Sequence, residues 1–286
     1  MVQFDSPLRY PGGKRKLAQF IADVVIQNGI QGGTYIEPFA GGASVALYLL
    51  FKEYVNQIII NDFDRSIYAF WYSVINYTDE LCRKIQDTKI TVEEWEKQRR
   101  LQNRKNQVEL LDLGFSTFFL NRTNRSGIIK GGIIGGKQQN GKWKIDTRFN
   151  KENLIKRIEK VALYKQRITV FNEDAIAFLD DIIDSINAQT LIYFDPPYYN
   201  HGFALYVNYY TNENHFALSK YIQGLGCTWI LTYDYAPQIV EMYKNARKKL
   251  LILNYTAAKK EKGYEMLAFS NNLIIPSNNY SSIVIE

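Results

Sequence analysis

An apolar run, Thr190 to Phe194, ends in Asp195-Pro196-Pro197-Tyr198, and this junction constrains the fold more than any other stretch. The run reads as a buried strand. Two prolines in succession cannot extend a sheet ladder or enter a helix interior, so the backbone must leave regular structure there. The carboxyl edge of a strand is where open α/β sheets bind their ligands. A turn of this composition can hold a carboxylate against an exocyclic amine while Tyr198 lies on a flat, flipped-out base. A strand that simply stops at a proline turn is the plain alternative. The remaining motifs count against it.

Similar short apolar runs recur: Thr34 to Glu37, Gln57 to Asn61, Ile168 to Asn172, Cys227 to Thr232, Leu250 to Asn254 and Glu265 to Phe269. Amphipathic helical patterns separate several of them, at Ala43 to Phe51, Ala175 to Ile186 and Glu213 to Gln223. Strands alternating with helices predict an α/β fold, a doubly wound and mostly parallel sheet covered on both faces. Arg65 to about Lys151 breaks the alternation. It is helical, charged and aromatic, then rich in Gly, Asn and Lys, and reads as an insertion. Residues 1–64 and 152–286 would then form one α/β domain, with 65–151 as the insertion, whose basic content makes it the candidate DNA-reading part. Gly127 to Gly141 interleaves glycines with isoleucines, which predicts an ordered loop or hairpin and not a free linker.

Composition excludes several classes. Cys82 and Cys227 are the only cysteines, and His201 and His215 the only histidines, so neither a disulfide framework nor a structural zinc cluster is expected. No metal is expected to be required. No apolar run approaches the roughly 20 residues that span a bilayer, and no secretory signal is apparent. A cytoplasmic protein with no membrane partner is expected. The net charge of +6 suits a polyanionic partner, and its placement is more telling. Arg99, Arg100, Arg104 and Lys105 cluster, and Arg122, Arg125, Lys130, Lys137, Lys142, Lys144 and Arg148 follow. A solvated helix face is the alternative reading of that run.

Three more motifs carry chemistry. Glu37-Pro38-Phe39-Ala40-Gly41-Gly42 follows the first expected strand and opens a helix, where glycines admit a ligand close to the backbone. It is not G-x-G-x-x-G, which weakens a nicotinamide or flavin reading. Asn61-Asp62-Phe63-Asp64 sets acids about 20 residues further on, where one can accept hydrogen bonds from ribose hydroxyls. Asp62 lies nearer the strand end, whereas Asp64 suits a helix N-cap. Arg9-Tyr10-Pro11-Gly12-Gly13-Lys14 is a compact turn whose Tyr10 could cover an adenine or a sulfonium and whose Lys14 could face a carboxylate. Gly131 to Lys137 nearly matches a phosphate-binding loop, but Gln138 stands where a hydroxyl is needed and no strand leads in.

Together these motifs, in this order and spacing, resemble the Dam-like, alpha-group DNA adenine-N6 methyltransferases. Phe118-Phe119-Leu120-Asn121-Arg122 looks like that family's aromatic-Asn-Arg segment. Tyr206 to Leu218 looks like its aromatic-rich region after the catalytic turn. The resemblance implies S-adenosylmethionine as cofactor, double-stranded DNA as partner and methyl transfer to adenine N6. It implies that Asp195, Pro196, Pro197 and Tyr198 form the catalytic turn. Tyr10, Lys14, Glu37, Pro38, Phe39, Ala40, Asp62 and Asp174 would border the cofactor, with Glu173 competing for the last role and an N-cap as the plain alternative for Asp174. Asn121, Arg122, Arg125, Lys130 and Lys137 would face DNA. His215 is expected to support the loop structurally. GATC-reading relatives carry an Asn-Gly pair and a following arginine in their recognition hairpin. This chain has Arg125-Ser126-Gly127 and then Lys130, so its target sequence stays open, as does its oligomeric state. An N4-cytosine or RNA N6-adenine acceptor, or a catalytically silent nucleic-acid binder, is the rival reading.

Overall fold

The computed structural model describes residues 6–10, 12–200, 210–255, 261–278, 280 and 283–285. Among the described residues, eight strands form one sheet: β1 (Thr34–Glu37), β2 (Gln57–Asn61), β3 (Ile168–Phe171), β4 (Thr190–Phe194), β5 (Thr228–Asp234), β6 (Arg247–Tyr255), β7 (Glu261–Phe269) and β8 (Ile283–Ile285). Their spatial order is β3-β2-β1-β4-β5-β7-β6-β8. Pairings are parallel from β3 through β5, and β7 runs antiparallel to both β5 and β6. The expected doubly wound, mostly parallel sheet is thus present. Strand order reverses at β1, which has β2 on one side and β4 on the other. This switch point brings the carboxyl ends of β1 and β4, Glu37 and Asp195, to one crevice.

The side-chain period of two divides the core. Tyr35, Ile58, Ile60, Leu191, Tyr193 and Ile230 enter one buried cluster. Their neighbours Ile36, Ile59, Ile192, Phe194 and Leu231 enter the other. Helices α1 (Ala18–Gln27), α2 (Ser44–Phe51) and α7 (Lys151–Ala162) cover the first face. Helices α8 (Ala175–Ile182), α9 (Asn212–Gly224) and α10 (Pro237–Met242) cover the second. Side chains cap some of these helix starts: Asp174 accepts from Ile176 N before α8, and Thr211 from Asn214 N before α9.

Residues 65–151 form α3 (Arg65–Asn76), α4 (Thr78–Asp87), α5 (Val92–Asn103) and α6 (Leu110–Thr123), with no strand beyond an isolated antiparallel bridge between Asn124 and Ile133. Leu113 to Thr123 of α6 are all buried, and Phe70, Trp71, Phe115 and Phe118 join the cluster on the first sheet face. The segment has no separate core. The glycine-rich stretch is ordered: Gln139 Nε2 donates to Ile134 O (2.8 Å) and Gly136 O (2.6 Å), while its Oε1 accepts from Ile145 N (2.8 Å). The β6–β7 pair extends well beyond the apolar runs, and β8 had no counterpart in them.

Candidate active site

Asp195 leaves β4 beside β5, where Thr232 donates to its Oδ1 at 2.9 Å and is itself held by Tyr193 at 2.8 Å. Lys14 reaches the same carboxylate, 2.8 Å from Oδ1 and 3.2 Å from Oδ2. The Lys14 ammonium also donates to Gly12 O at 3.1 Å and to the Tyr198 hydroxyl at 2.7 Å. Tyr198 in turn donates to Glu265 Oε1 at 2.5 Å. Burial alone would push the Lys14 pKa down, but Asp195 and Glu265 outweigh it and hold the group well above the ordinary lysine value. Lys14 is therefore a cation, and the carboxylates it faces are the protein's own. Lys14, expected to border the cofactor, directs its donors to the catalytic turn, with Tyr198's ring 4.9 Å from the ammonium.

The glycine turn borders this crevice. Gly41 has φ of +46°, and a Cβ there would come within 2.6 Å of the Tyr10 ring, so only glycine lets Tyr10 lie on the turn. Pro38 and Ala40 are tied to β2, Pro38 O accepting from Asn61 Nδ2 (3.0 Å) and Ala40 N donating to Asn61 O (2.9 Å). From α3, Trp71 Nε1 donates to Gly41 O at 2.9 Å. Glu37 Oε1 accepts from Tyr35 Oη and Ala46 N, each at 3.1 Å. Burial nevertheless pushes its pKa up to about 8.

Asp62 Oδ2 accepts from Gly41 N and its Oδ1 from Asp64 N, both at 2.9 Å. Burial, with the neighbouring Asp64 charge, raises its pKa to about 7. Asp64 caps α3 through Ser66 N (3.0 Å) and pairs with Lys105 at 2.7 Å. Of the two acids, Asp62 is the one hydrogen-bonded to the glycine turn. Phe63, between them, leaves 55% of its surface exposed. Phe39 packs edge-on against Tyr210 at 5.9 Å. The Tyr210 phenol is raised by burial and then by the charges of Asp174 and Asp62, which brings all three to one region. Asp174 is also the N-cap of α8.

Beyond the turn, Asp234 accepts from Tyr199 N (2.8 Å) and Asn200 N (3.0 Å), fixing the exit of the chain. His215 is buried, hydrogen-bonded through Nδ1 to Tyr233 and packed on Tyr199 and Tyr210. Burial pushes its pKa down to about 4. The aromatic stretch that begins at Tyr206 lies outside the described residues as far as residue 209, as does His201.

The basic candidates separate. Arg125 and Lys130 are exposed on the loop after α6, where Arg125 N donates to Gly132 O at 2.9 Å. Lys137 is exposed and pairs with Glu96 at 3.1 Å. Asn121, 1% exposed, accepts from Arg9 N (2.8 Å) and donates to Arg9 O (2.7 Å) and Gly127 O (2.8 Å). A Cβ on Gly127 would meet Arg9 O at 2.3 Å, so the two segments are in close contact. Arg122, 7% exposed, donates to Pro7 O. Burial first, then Arg157, Arg9 and Arg148, lowers its pKa to about 9. The expectation that Asn121 and Arg122 meet DNA directly is therefore corrected. Both are turned inward and clamp the N-terminal turn to the insertion.

Three residues of the site escaped the sequence reading: Glu265, Asp234 and Thr232. Glu265 and Asp234 are paired in register across β7 and β5. An acid opening the otherwise apolar run Glu265 to Phe269 was the one available signal. Among the described residues, no group of three or more His, Cys, Asp or Glu side chains converges as a metal site. No helix among them is long and apolar enough to cross a membrane.

A family model described as D12 class N6 adenine-specific DNA methyltransferase matches residues 10–266. The Type II methyltransferase M.MjaIII of Methanocaldococcus jannaschii is 24% identical over 91% of this chain and 96% of its own length. Among solved structures, a class I S-adenosylmethionine-dependent methyltransferase from Listeria monocytogenes aligns at 10% identity, with 97% of this chain and 66% of that one covered. Its TM-score is 0.38, too slight to bear on the fold, which rests on its own strand order.

Proposed function

The chain belongs to the D12 class of N6 adenine-specific DNA methyltransferases, and from that premise we propose how its own residues divide the work. The activity is transfer of a methyl group from S-adenosylmethionine to adenine N6 in DNA. The crevice fits such a cofactor chemically. Asp62 offers a carboxylate whose oxygens each hold one backbone N–H and retain a lone pair for ribose hydroxyls. Phe63 offers an exposed ring beside it for adenine, and Tyr10, Glu37, Pro38, Phe39, Ala40 and Asp174 wall the remainder. When bound, the cofactor supplies an electrophilic methyl on a sulfonium.

Adenine N6 is a poor nucleophile because its lone pair is delocalised into the ring. In this reading Asp195 and the Pro196 carbonyl accept its two hydrogens and favour the pyramidal nitrogen of the transition state. The work is positioning and electrostatics, with no covalent intermediate on the protein. Pro197 stiffens the turn, and Tyr198 packs on an adenine flipped from duplex DNA, whose unstacking costs a few kcal/mol. The observation that carries this reading is the partly open Asp195. Its side chain is 22% exposed, while its partner Lys14 lies behind it, buried. Asp195→Ala should lower kcat by at least about 100-fold with cofactor affinity nearly unchanged. Near-normal turnover in the purified variant would remove the turn from the chemistry.

We also propose that residues 65–151 read DNA, with α3 additionally bracing the cofactor turn. The exposed Arg125, Lys130 and Lys137 support this, as does the clamp that seats their loop on Arg9. Methylation of duplex against single-stranded substrates, followed by sequencing for modified adenine, tests both the duplex requirement and the site.

A further inference from the structure

A buried carboxylate on β7 is joined to the catalytic turn. Glu265 is 2% exposed, and the residues that follow it on β7, Met266 to Phe269, are fully buried apolar side chains. An ionised group in such surroundings is costly unless it is paired, and an apolar replacement of equal volume is often no less stable. Its partners are those of the reaction site. Glu265 Oε1 accepts from the Tyr198 hydroxyl, and Oε2 lies 3.6 Å from Lys14 Nζ.

The proton directions follow from what each group can donate. Lys14 is only a donor, so the Tyr198 oxygen accepts from it, and the single Tyr198 proton goes to Glu265. The chain runs from Asp195 through Lys14 and Tyr198 to Glu265, one cation between two carboxylates. Lys14 approaches Asp195 unevenly, and Thr232 also takes Oδ1. Oδ2 is left as the less engaged oxygen of a carboxylate that opens outward.

We propose that Glu265 is a positioning residue for methyl transfer. It draws Lys14 and Tyr198 toward β7, so that Asp195 Oδ2 keeps its strength as an acceptor for the target amine. The inference rests on the assignment of Asp195 to that amine. In a poorly polarisable interior the attraction of one ammonium is shared between the acids that face it. Without the Glu265 charge, the whole of it falls on Asp195 and competes with the substrate N–H. The Tyr198 ring likewise loses the fixed partner that sets its orientation.

Glu265→Gln separates charge from shape, because its amide oxygen still accepts from Tyr198. We expect kcat to fall about 10- to 100-fold, as small displacements of a reacting group do. The Kd for S-adenosylmethionine and the KM for DNA should change far less. The acid limb of the kcat–pH profile should move to lower pH, since a turn with one negative charge fewer is harder to protonate. Glu265→Asp, which restores the charge, should recover part of the rate and the original limb. A wild-type kcat in Glu265→Gln overturns the proposal. So does a fall in kcat with an unmoved limb and no recovery in Glu265→Asp, the pattern of a merely structural role. If Glu265→Gln does not fold, Tyr198→Phe decides: it cuts the link while keeping the ring, and an unchanged kcat overturns the proposal. Asp195→Ala is measured alongside. Retained turnover there sinks the underlying reading, whereas an inactive Asp195→Ala beside a fully active Glu265→Gln sinks only this one.

Discussion

Cofactor affinity should depend on pH through Asp62. Its carboxyl is held at about 7 by burial and by Asp64, so near neutrality about half of the unliganded molecules carry a proton there. A protonated carboxyl has one acceptor fewer and already meets the N–H groups of Gly41 and Asp64. Binding through ribose hydroxyls therefore requires loss of that proton, and affinity must weaken as pH falls. For a single group titrating at about 7, the apparent Kd at about pH 6 is roughly tenfold that at about pH 8, or about 1.4 kcal/mol. Asp62→Asn removes the charge and turns a donor toward a backbone N–H. At about pH 8 it should cost about 1.5–3 kcal/mol, roughly 10- to 150-fold in Kd, and flatten the pH dependence. Calorimetry with S-adenosylhomocysteine, which keeps the ribose and adenine but cannot react, measures both effects. Glu37, raised to about 8, is the competing titrant, so Glu37→Gln is the control. An Asp62→Asn protein with unchanged affinity and the wild-type pH slope would refute the ribose role.

His215 gives a stability prediction of the same sense, a loss as pH falls. Its pKa is pushed from an ordinary 6.5 to about 4, so between those values the unfolded chain binds the proton and the folded one does not. The stability it contributes is present above the unfolded value and is lost as pH falls through that window, by roughly 3 kcal/mol. Glu37 and Asp62, whose raised carboxyls favour the folded state at low pH, work against this slope. The measurement is therefore the difference between wild type and His215→Gln in urea melts at the two ends of the window; equal slopes would refute it. Arg125→Ala and Lys130→Ala should each behave either as a base contact, costing about 1–3 kcal/mol and relaxing one position, or as a phosphate contact, reducing the salt slope by about one. Duplex titrations at several salt concentrations distinguish these, and no change in either variant would exclude the loop from DNA. Asn121→Ala should instead lower thermal stability, since the buried groups of Arg9 and Gly127 lose their partners at about 1–3 kcal/mol each, and leave the salt slope untouched.

Local chemistry determined much of this protein in advance. Apolar runs of four to five residues became β1, β2 and β4 with the bounds the run itself had, because a strand buried on both faces shows in every residue. The turns that follow them were legible for the same reason: Pro196-Pro197 forbids a ladder, and Gly41 permits a backbone that other residues avoid. Once strand order places β1 beside β4, those turns must share an edge, so Glu37, Asp62 and Asp195 converge. The long β6–β7 pair was less visible, since its ends lean on pairing with each other more than on burial.

Tertiary structure alone decided what those residues face. Lys14 and Asp195 are 181 residues apart, and Tyr198 and Glu265 are 67 apart. No pattern along the chain says that an ammonium from the first turn will be shared by acids from β4 and β7. The same holds for Asn121 and Arg122, whose basic, polar neighbourhood reads as a surface. Packing of α6 on all sides buries them and turns them toward Arg9 and Pro7. Periodicity records which side of an element is apolar, and a turn motif records what the backbone can do. The partner of a buried charge is set by which strands become neighbours, and that is settled only when the whole sheet closes.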